Sequence, residues 1–137
     1  ARFKTVVGGG RNRHLSGLTT LFTYPGVPSI FAGAELGLEG SWGEDSRRTI
    51  DWENVDTWDT TLLAEVKKLI QIRRERDALI NGGLRWIYIG EDAFGYLRES
   101  KREKIFILQR VSYLLLAFFL SNKFSTESNL ILFVKIL

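Results

Sequence analysis

The feature that most constrains the fold of this chain is a change of hydrophobic period at Gly82-Gly83. Upstream, Leu62, Leu63, Val66, Leu69, Ile70 and Arg73 recur at the spacing of one helix face. Asp59 or Thr60 stands where a helix cap belongs, and the glycine pair stops the helix. Downstream, Leu84 to Ile89 alternates, Gly90-Glu91-Asp92 reads as a turn, and Ala93 to Arg98 alternates again. Glu99 to Glu103 is a charged turn, and Lys104 to Leu108 is a third strand. Three strands with short connections predict an antiparallel meander. The chain therefore reads as α/β followed by all-β.

The amino-terminal part carries a different set of signals. Gly8-Gly9-Gly10 is a flexible loop, and no Lys-Ser/Thr follows it at the spacing of a phosphate-binding loop. A helix is expected from near Asn12, whose side chain could cap it, with Leu15, Leu18, Leu21 and Phe22 as its buried stripe. It should end before Tyr24-Pro25, because the residue before proline is pushed out of the helical region. Pro25-Gly26 makes a turn, and Ser29 to Gly33 is a short apolar run of the kind a doubly buried parallel strand shows. Ala34 to Asp59 is then a long loop rich in Gly, Asp, Glu and Trp. Trp42, Trp52 and Trp58 argue for order there, since three large apolar side chains call for burial or a ligand face.

Length and composition narrow the options. A complete (β/α)8 barrel needs about 250 residues, and this chain has 137. Pieces of two domains would fit: 1–82 as the end of an α/β unit, 83–110 as the start of a β domain, and 111–137 as an atypical tail without glycine or proline. The absence of cysteine excludes a disulfide framework and zinc-thiolate sites, and it suits a cytoplasmic protein. The absence of methionine predicts a natural start upstream of Ala1. Net charge is +3, and the basic residues alternate with acidic ones in Glu65-Val66-Lys67-Lys68 and Arg73-Arg74-Glu75-Arg76-Asp77. That is the pattern of a solvated helix face, not of a nucleic-acid footprint. The longest uncharged apolar run, Tyr113 to Leu120, is too short to span a membrane.

Several motifs in order resemble the α-amylase superfamily, most closely its cyclomaltodextrinase, neopullulanase and α-glucosidase branch. Ala1-Arg2-Phe3 resembles the residues just after that family's His-Asp motif, and Arg2 matches its arginine. Gly33-Ala34-Glu35-Leu36-Gly37 resembles the Gly-Asp-Glu-x-Gly pattern at the end of the eighth barrel strand, with Ala34 in place of the aspartate. Asp45-Ser46-Arg47-Arg48 followed by Trp52 resembles the Arg-containing loop after that strand. Leu62 to Leu79, with Ile70-Gln71-Ile72-Arg73, resembles the last barrel helix, and the strands from Leu84 resemble the start of the C-terminal β-sandwich. The resemblance implies the last βα units of a TIM barrel plus the start of an antiparallel β-sandwich domain. It implies retaining hydrolysis of α-glucosidic bonds in maltodextrins or related α-glucans, without a cofactor. The three family carboxylates would precede Ala1, so the resemblance assigns no catalytic residue and no metal ligand to this chain. After Leu108 the resemblance ends abruptly, which predicts a frameshift or truncated reading frame.

Within the long loop, Glu35, Glu39, Glu44, Asp45, Asp51 and Glu53 read as solvated carboxylates with structural hydrogen bonds. The resemblance makes Arg2, Arg47, Arg48 and Trp52 the candidate substrate-binding residues at the rim of a site. Arginine can hydrogen-bond sugar hydroxyls and tryptophan can stack on a pyranose face; the other reading of Arg47 and Arg48 is an Arg-carboxylate pair that pins the loop. His14 lacks a partner pattern and reads as structural. The leading expectation is a glycosidase fragment, inactive alone and expected to be poorly soluble or partly folded. The alternatives are a non-catalytic carbohydrate-binding module and a membrane-peripheral protein.

Overall fold

The computed structural model describes residues 1–110 together with the strands at 117–122 and 130–132. In chain order the helices are α1 (Phe3–Val6), α2 (Arg11–Thr23), α3 (Thr60–Glu75) and α4 (Asp77–Asn81). The strands β1 (Gly83–Ile89), β2 (Ala93–Glu99), β3 (Glu103–Arg110), β4 (Ala117–Asn122) and β5 (Leu130–Leu132) come next. They form one antiparallel sheet in sequential order. The expected three-stranded meander is present with the expected turns. Two further strands from the 111–137 segment extend it, and the remainder of that tail lies outside the described residues.

Strand parity explains the packing. Leu84 lies opposite Arg98 and Trp86 opposite Tyr96, while Tyr96 faces Ile107 and Arg98 faces Ile105. These residues share one face of the pleat. Tyr96, Ile105 and Ile107 on that face join Leu15, Leu18 and Phe22 of α2, Leu62, Val66 and Leu69 of α3, and Ala78 and Leu79 of α4 in a single buried cluster. The core therefore runs across Gly82 without a break. Burying a side chain of this size contributes about 1.5–3 kcal/mol. On the opposite face, Gly95 lets the Phe106 ring close over β2; a Cβ at Gly95 would stand 2.8 Å from that ring.

Several local expectations are corrected. The cap of α2 is Gly10, without a side-chain bond, and not Asn12, which lies inside the helix. Leu21 is partly buried rather than core. The helix expected to run through Leu79 ends at Glu75; Arg76 turns extended and α4 restarts at Asp77. That break turns Ala78 and Leu79 into the core. Asp59 is the cap of α3, accepting from the Leu62 N–H at 2.9 Å.

The largest difference concerns Ser29 to Gly33, expected as a parallel strand. Residues 27–31 run without helix, ladder, turn or bend. A parallel strand exists only by pairing with neighbours, and the described strands all belong to the meander. The apolar run has the composition of a strand and no strand beside it.

Candidate functional site

The Gly33-x-Glu35-x-Gly37 motif is a 3-10 turn over Ala34–Leu36, with left-handed glycines at both ends (φ 90° and 72°). At Gly33 a Cβ would also stand 2.4 Å from Leu38. Glu35 accepts the Gly33 N–H at 2.9 Å, so its carboxylate folds back on its own turn. This turn starts the 34–59 loop and fixes where that loop leaves the 27–31 segment.

Arg2 anchors the loop from beneath. Its side chain is buried, 7% exposed, and donates from Nη1 to the Ala32 carbonyl at 2.8 Å and from Nη2 to the Arg48 carbonyl at 2.7 Å. Its guanidinium stands 4.7 Å from the centre of the Phe31 ring. The Arg2 N–H donates to Gly40 O, and Gly40 N–H donates to Thr5 Oγ1. Lys4 donates to Gly37 O at 3.0 Å and pairs with Glu39 at 3.3 Å. One turn of helix therefore ties both ends of the 37–48 stretch. Arg2 is a positioning residue in this arrangement, bound to backbone rather than presented to solvent.

The loop carboxylates are committed to local bonds. Asp45 accepts the Ser41 N–H and Arg48 Nε, both at 2.6 Å, and forms an ion pair with Arg48. The Ser41 amide first, and Arg48 second, hold its carboxyl below the usual carboxylate range. Asp51 accepts Asn54 Nδ2 at 2.7 Å and the N–H groups of Glu53 and Asn54, which also lower its pKa, Asn54 foremost. The Arg48–Asp45 bond is the loop-pinning pair. Arg47 and Trp52 remain exposed on the same loop. Trp52 is 70% exposed and meets Trp58 edge-on at 5.3 Å, while Trp58 Nε1 donates to Asp51 O. Trp42 is 84% exposed. Of the three tryptophans expected to need burial or a ligand face, two thus present most of their surface to solvent.

Beside the loop lies a cavity of about 460 Å³. Leu18 and Leu21 of α2 line it together with Ile30, Phe31, Phe3 and Arg2. His14 stands at its margin, buried, with Nε2 at 2.8 Å from Ala34 O. Burial lowers its pKa, against the opposing bond to Ala34 O, so the ring is neutral and Nε2 is the donor. His14 is thus the structural residue its isolation in sequence suggested. Among the described residues no group of three His, Asp or Glu side chains could hold a metal ion. No described helix is long and apolar enough to cross a membrane.

A second arrangement, at the junction of helices and sheet, was missed by motif reading. Arg98 on β2 is 1% exposed and donates to Leu79 O at 3.1 Å, Gly82 O at 2.8 Å and Gly83 O at 3.2 Å, and also to Thr23 O. Arg73 on α3 donates to Phe22 O at 2.7 Å and Tyr24 O at 2.9 Å, and to Gly26 O. Two guanidiniums thus cap the carboxyl end of α2, where carbonyls lack helical partners and the dipole favours cations. The available signal was parity: Arg98 falls on the same side of its strand as Phe94 and Tyr96. Both arginines are structural.

No family model matches the chain. A cyclomaltodextrinase from Thermoanaerobacter pseudethanolicus is 34% identical over 107 residues, covering 78% of this chain and 18% of that protein. A maltogenic α-amylase from Bacillus acidopullulyticus is 41% identical over 63 residues, 46% of this chain and 11% of that protein. The solved Nostoc punctiforme debranching enzyme superposes with a TM-score of 0.71 at 33% identity, over 81% of this chain and 22% of that one. The chain spans less than a quarter of the length of each of these proteins. From the motifs, the fold and these likenesses together, this chain belongs to the α-amylase family, and it matches only a part of those proteins.

Proposed function

We propose that this chain is the C-terminal part of a retaining glycosidase acting on α-glucosidic bonds of maltodextrins or related α-glucans. Residues 1–82 are the last βα units of its TIM barrel, 83–110 begin its C-terminal β-sandwich, and 111–137 are an atypical tail. The observation that carries this reading is the likeness to a cyclomaltodextrinase over 78% of the chain, spanning both the helices and the meander. Leu97, Phe106 and Leu108 lend support to the sandwich, because they give the sheet a half-buried apolar second face. Such a face is suited to packing on another sheet.

Arg47 and Trp52 contact the sugar at the rim of the site, Arg48 pins their loop through Asp45, and Arg2 holds that loop from beneath. The chain alone is inactive. Retaining hydrolysis needs two carboxyl groups about 5 Å apart across the scissile bond. Glu35, Asp45 and Asp51 are instead bonded to backbone amides or to neighbours on their own loop. The test compares reducing-sugar release from maltotriose by the 137-residue chain and by a chimera in which it replaces the matching segment of the Thermoanaerobacter cyclomaltodextrinase. Turnover by the chimera alone is expected. Turnover by the short chain that disappears in Glu35→Gln would overturn the reading. Affinity of the short chain for maltotriose, without turnover in either protein, would favour a binding module, for which the exposed Trp42 and Trp52 would be the natural platform.

A further inference from the structure

We propose that Asn81-Gly82 is a site of spontaneous deamidation, kept closed by the bonds that hold α4 to the sheet and opened when that junction loosens. It is the one Asn-Gly pair among the five asparagines of the sequence. In the reaction the Gly82 backbone nitrogen, giving up its proton to base, attacks Cγ of Asn81. The bond from Cγ to Nδ2 breaks, ammonia leaves, and a succinimide ring closes. Water then opens the ring at either carbonyl and leaves an aspartyl or an isoaspartyl residue at position 81. Glycine after asparagine favours the attack, because no Cβ crowds the approaching nitrogen.

Packing imposes the labile pair. A Cβ at Gly82 would stand 2.2 Å from Ala78 O and 2.8 Å from Glu99 O, both backbone atoms, so position 82 admits no side chain. The same packing restrains the reaction. The Gly82 N–H donates to Ala78 O at 3.1 Å, and Asn81 Nδ2 donates to Asp77 Oδ1 at 2.8 Å. Nucleophile and leaving group are thus both bonded, while Asn81 itself is exposed to the water and base the reaction needs. α4 is in turn tied to the sheet. Glu103 of β3 accepts the Ala78 N–H at 2.9 Å, and Arg98 of β2 donates to the carbonyls of Leu79, Gly82 and Gly83. Attack requires Asn81 to leave its helical backbone conformation and the Gly82 N–H to leave Ala78 O, so these bonds open first. The product acts back on the junction. It sets a carboxylate, in place of an amide donor, four residues from Asp77, where like charges repel. The isoaspartyl form also adds a methylene to the main chain, next to the carbonyls that Arg98 grips. Deamidation therefore weakens the junction that delays it.

Peptide mapping of the 137-residue chain, aged in mildly alkaline buffer with and without guanidinium chloride, tests the proposal. In denaturant Asn81 should convert before Asn12 and Asn54. In buffer alone its conversion should be slower by about a hundredfold. Arg98→Leu should raise the rate in buffer about tenfold, while Lys67→Ala on the outer side of α3 should leave it unchanged. If Arg98→Leu does not fold, Asp77→Ala, which frees the Asn81 amide, is read in its place and should also react faster. No preferential conversion of Asn81 in denaturant overturns the proposal. So do equal rates with and without denaturant, and so does a folded junction variant that reacts no faster than the parent chain. The deamidated chain, separated by its added negative charge, should unfold at a lower urea midpoint. An unchanged midpoint overturns the link between the modification and the junction.

Discussion

Arg98 and Arg2 are both buried guanidiniums bound to backbone carbonyls, yet they stand in regions built on different terms. Around Arg98, the helices and the meander close on one another with groups the chain itself supplies. Its Nε, Nη1 and Nη2 all donate, Tyr96 OH bonds Thr23, and Gln109 bonds Thr20 at 2.7 Å. Around Arg2, polar groups are left over. Its Nε and His14 Nδ1 are buried without a hydrogen-bond partner among the described residues, and the neighbouring backbone edge is unpaired. A buried polar group left without a partner costs about 1–3 kcal/mol. Thr19 Oγ1 on α2 and Glu65 Oε2 on α3 are also buried without a hydrogen-bond partner among the described residues, so the first region is the more fully bonded of the two and not a closed one.

The widest separation between the regions should appear in hydrogen exchange. Amides in the β2–β3 ladder should exchange at least about a thousandfold more slowly than those of residues 29–32, because the former open only with much of the core. Comparable rates would erase the distinction.

Next in size is Arg98→Leu. Four carbonyls at the ends of α2 and α4 and the start of β1 lose their donor, at a cost of about 3 kcal/mol or more, read as a lowered urea midpoint. Arg47→Leu on the open loop should change stability by less than about 0.5 kcal/mol. Equal effects would show that the junction is not the organising element.

Asp59→Ala should remove about 1 kcal/mol, since its side chain caps α3 and also accepts from Arg11 at 2.7 Å. Burial alone would raise the Asp59 pKa, but the Arg11 and Leu62 bonds outweigh it and hold it below 3.8. A carboxyl lowered in the folded state contributes stability that is present above its unfolded value and lost as pH falls through the folded value. The acid limb of a stability-against-pH curve should therefore flatten in Asp59→Ala.

The smallest stability effect is expected for Trp52→Ala, within about 0.5 kcal/mol because the ring is mostly solvated. In the chimera the same change should weaken maltotriose binding about tenfold, or 1.4 kcal/mol. A large loss of stability without loss of affinity would make the Trp52–Trp58 contact a loop pin and not a sugar platform.

Much of the fold was legible because its signals are local. The meander announced itself by alternation and turn residues, and the stripes of α2 and α3 by their spacing. The cap of α3 was narrowed to Asp59 or Thr60, and the structure decided for Asp59. Two failures were local conflicts settled by packing: Arg76 breaks a helix that periodicity would continue, and Gly10 rather than Asn12 begins α2. At the site, sequence nominated Arg2, Arg47, Arg48 and Trp52 by resemblance, and could not tell which would be buried. Arg2 turned inward to the Ala32 and Arg48 carbonyls, while Trp52 stayed out.

What the sequence determined by itself is α2, the buried stripe of α3, the β1–β3 meander and the family, since period, turns and motif order are properties of neighbours along the chain. What only the tertiary structure decided is which polar groups meet. Arg98 lies 75 residues from Thr23, and Arg2 lies 46 from Arg48. No local pattern encodes such pairs. They form because packing the helices on the sheet brings particular carbonyls within reach of a long cation. The same holds for Ser29 to Gly33: its composition is that of a strand, but a strand is a relation between two segments.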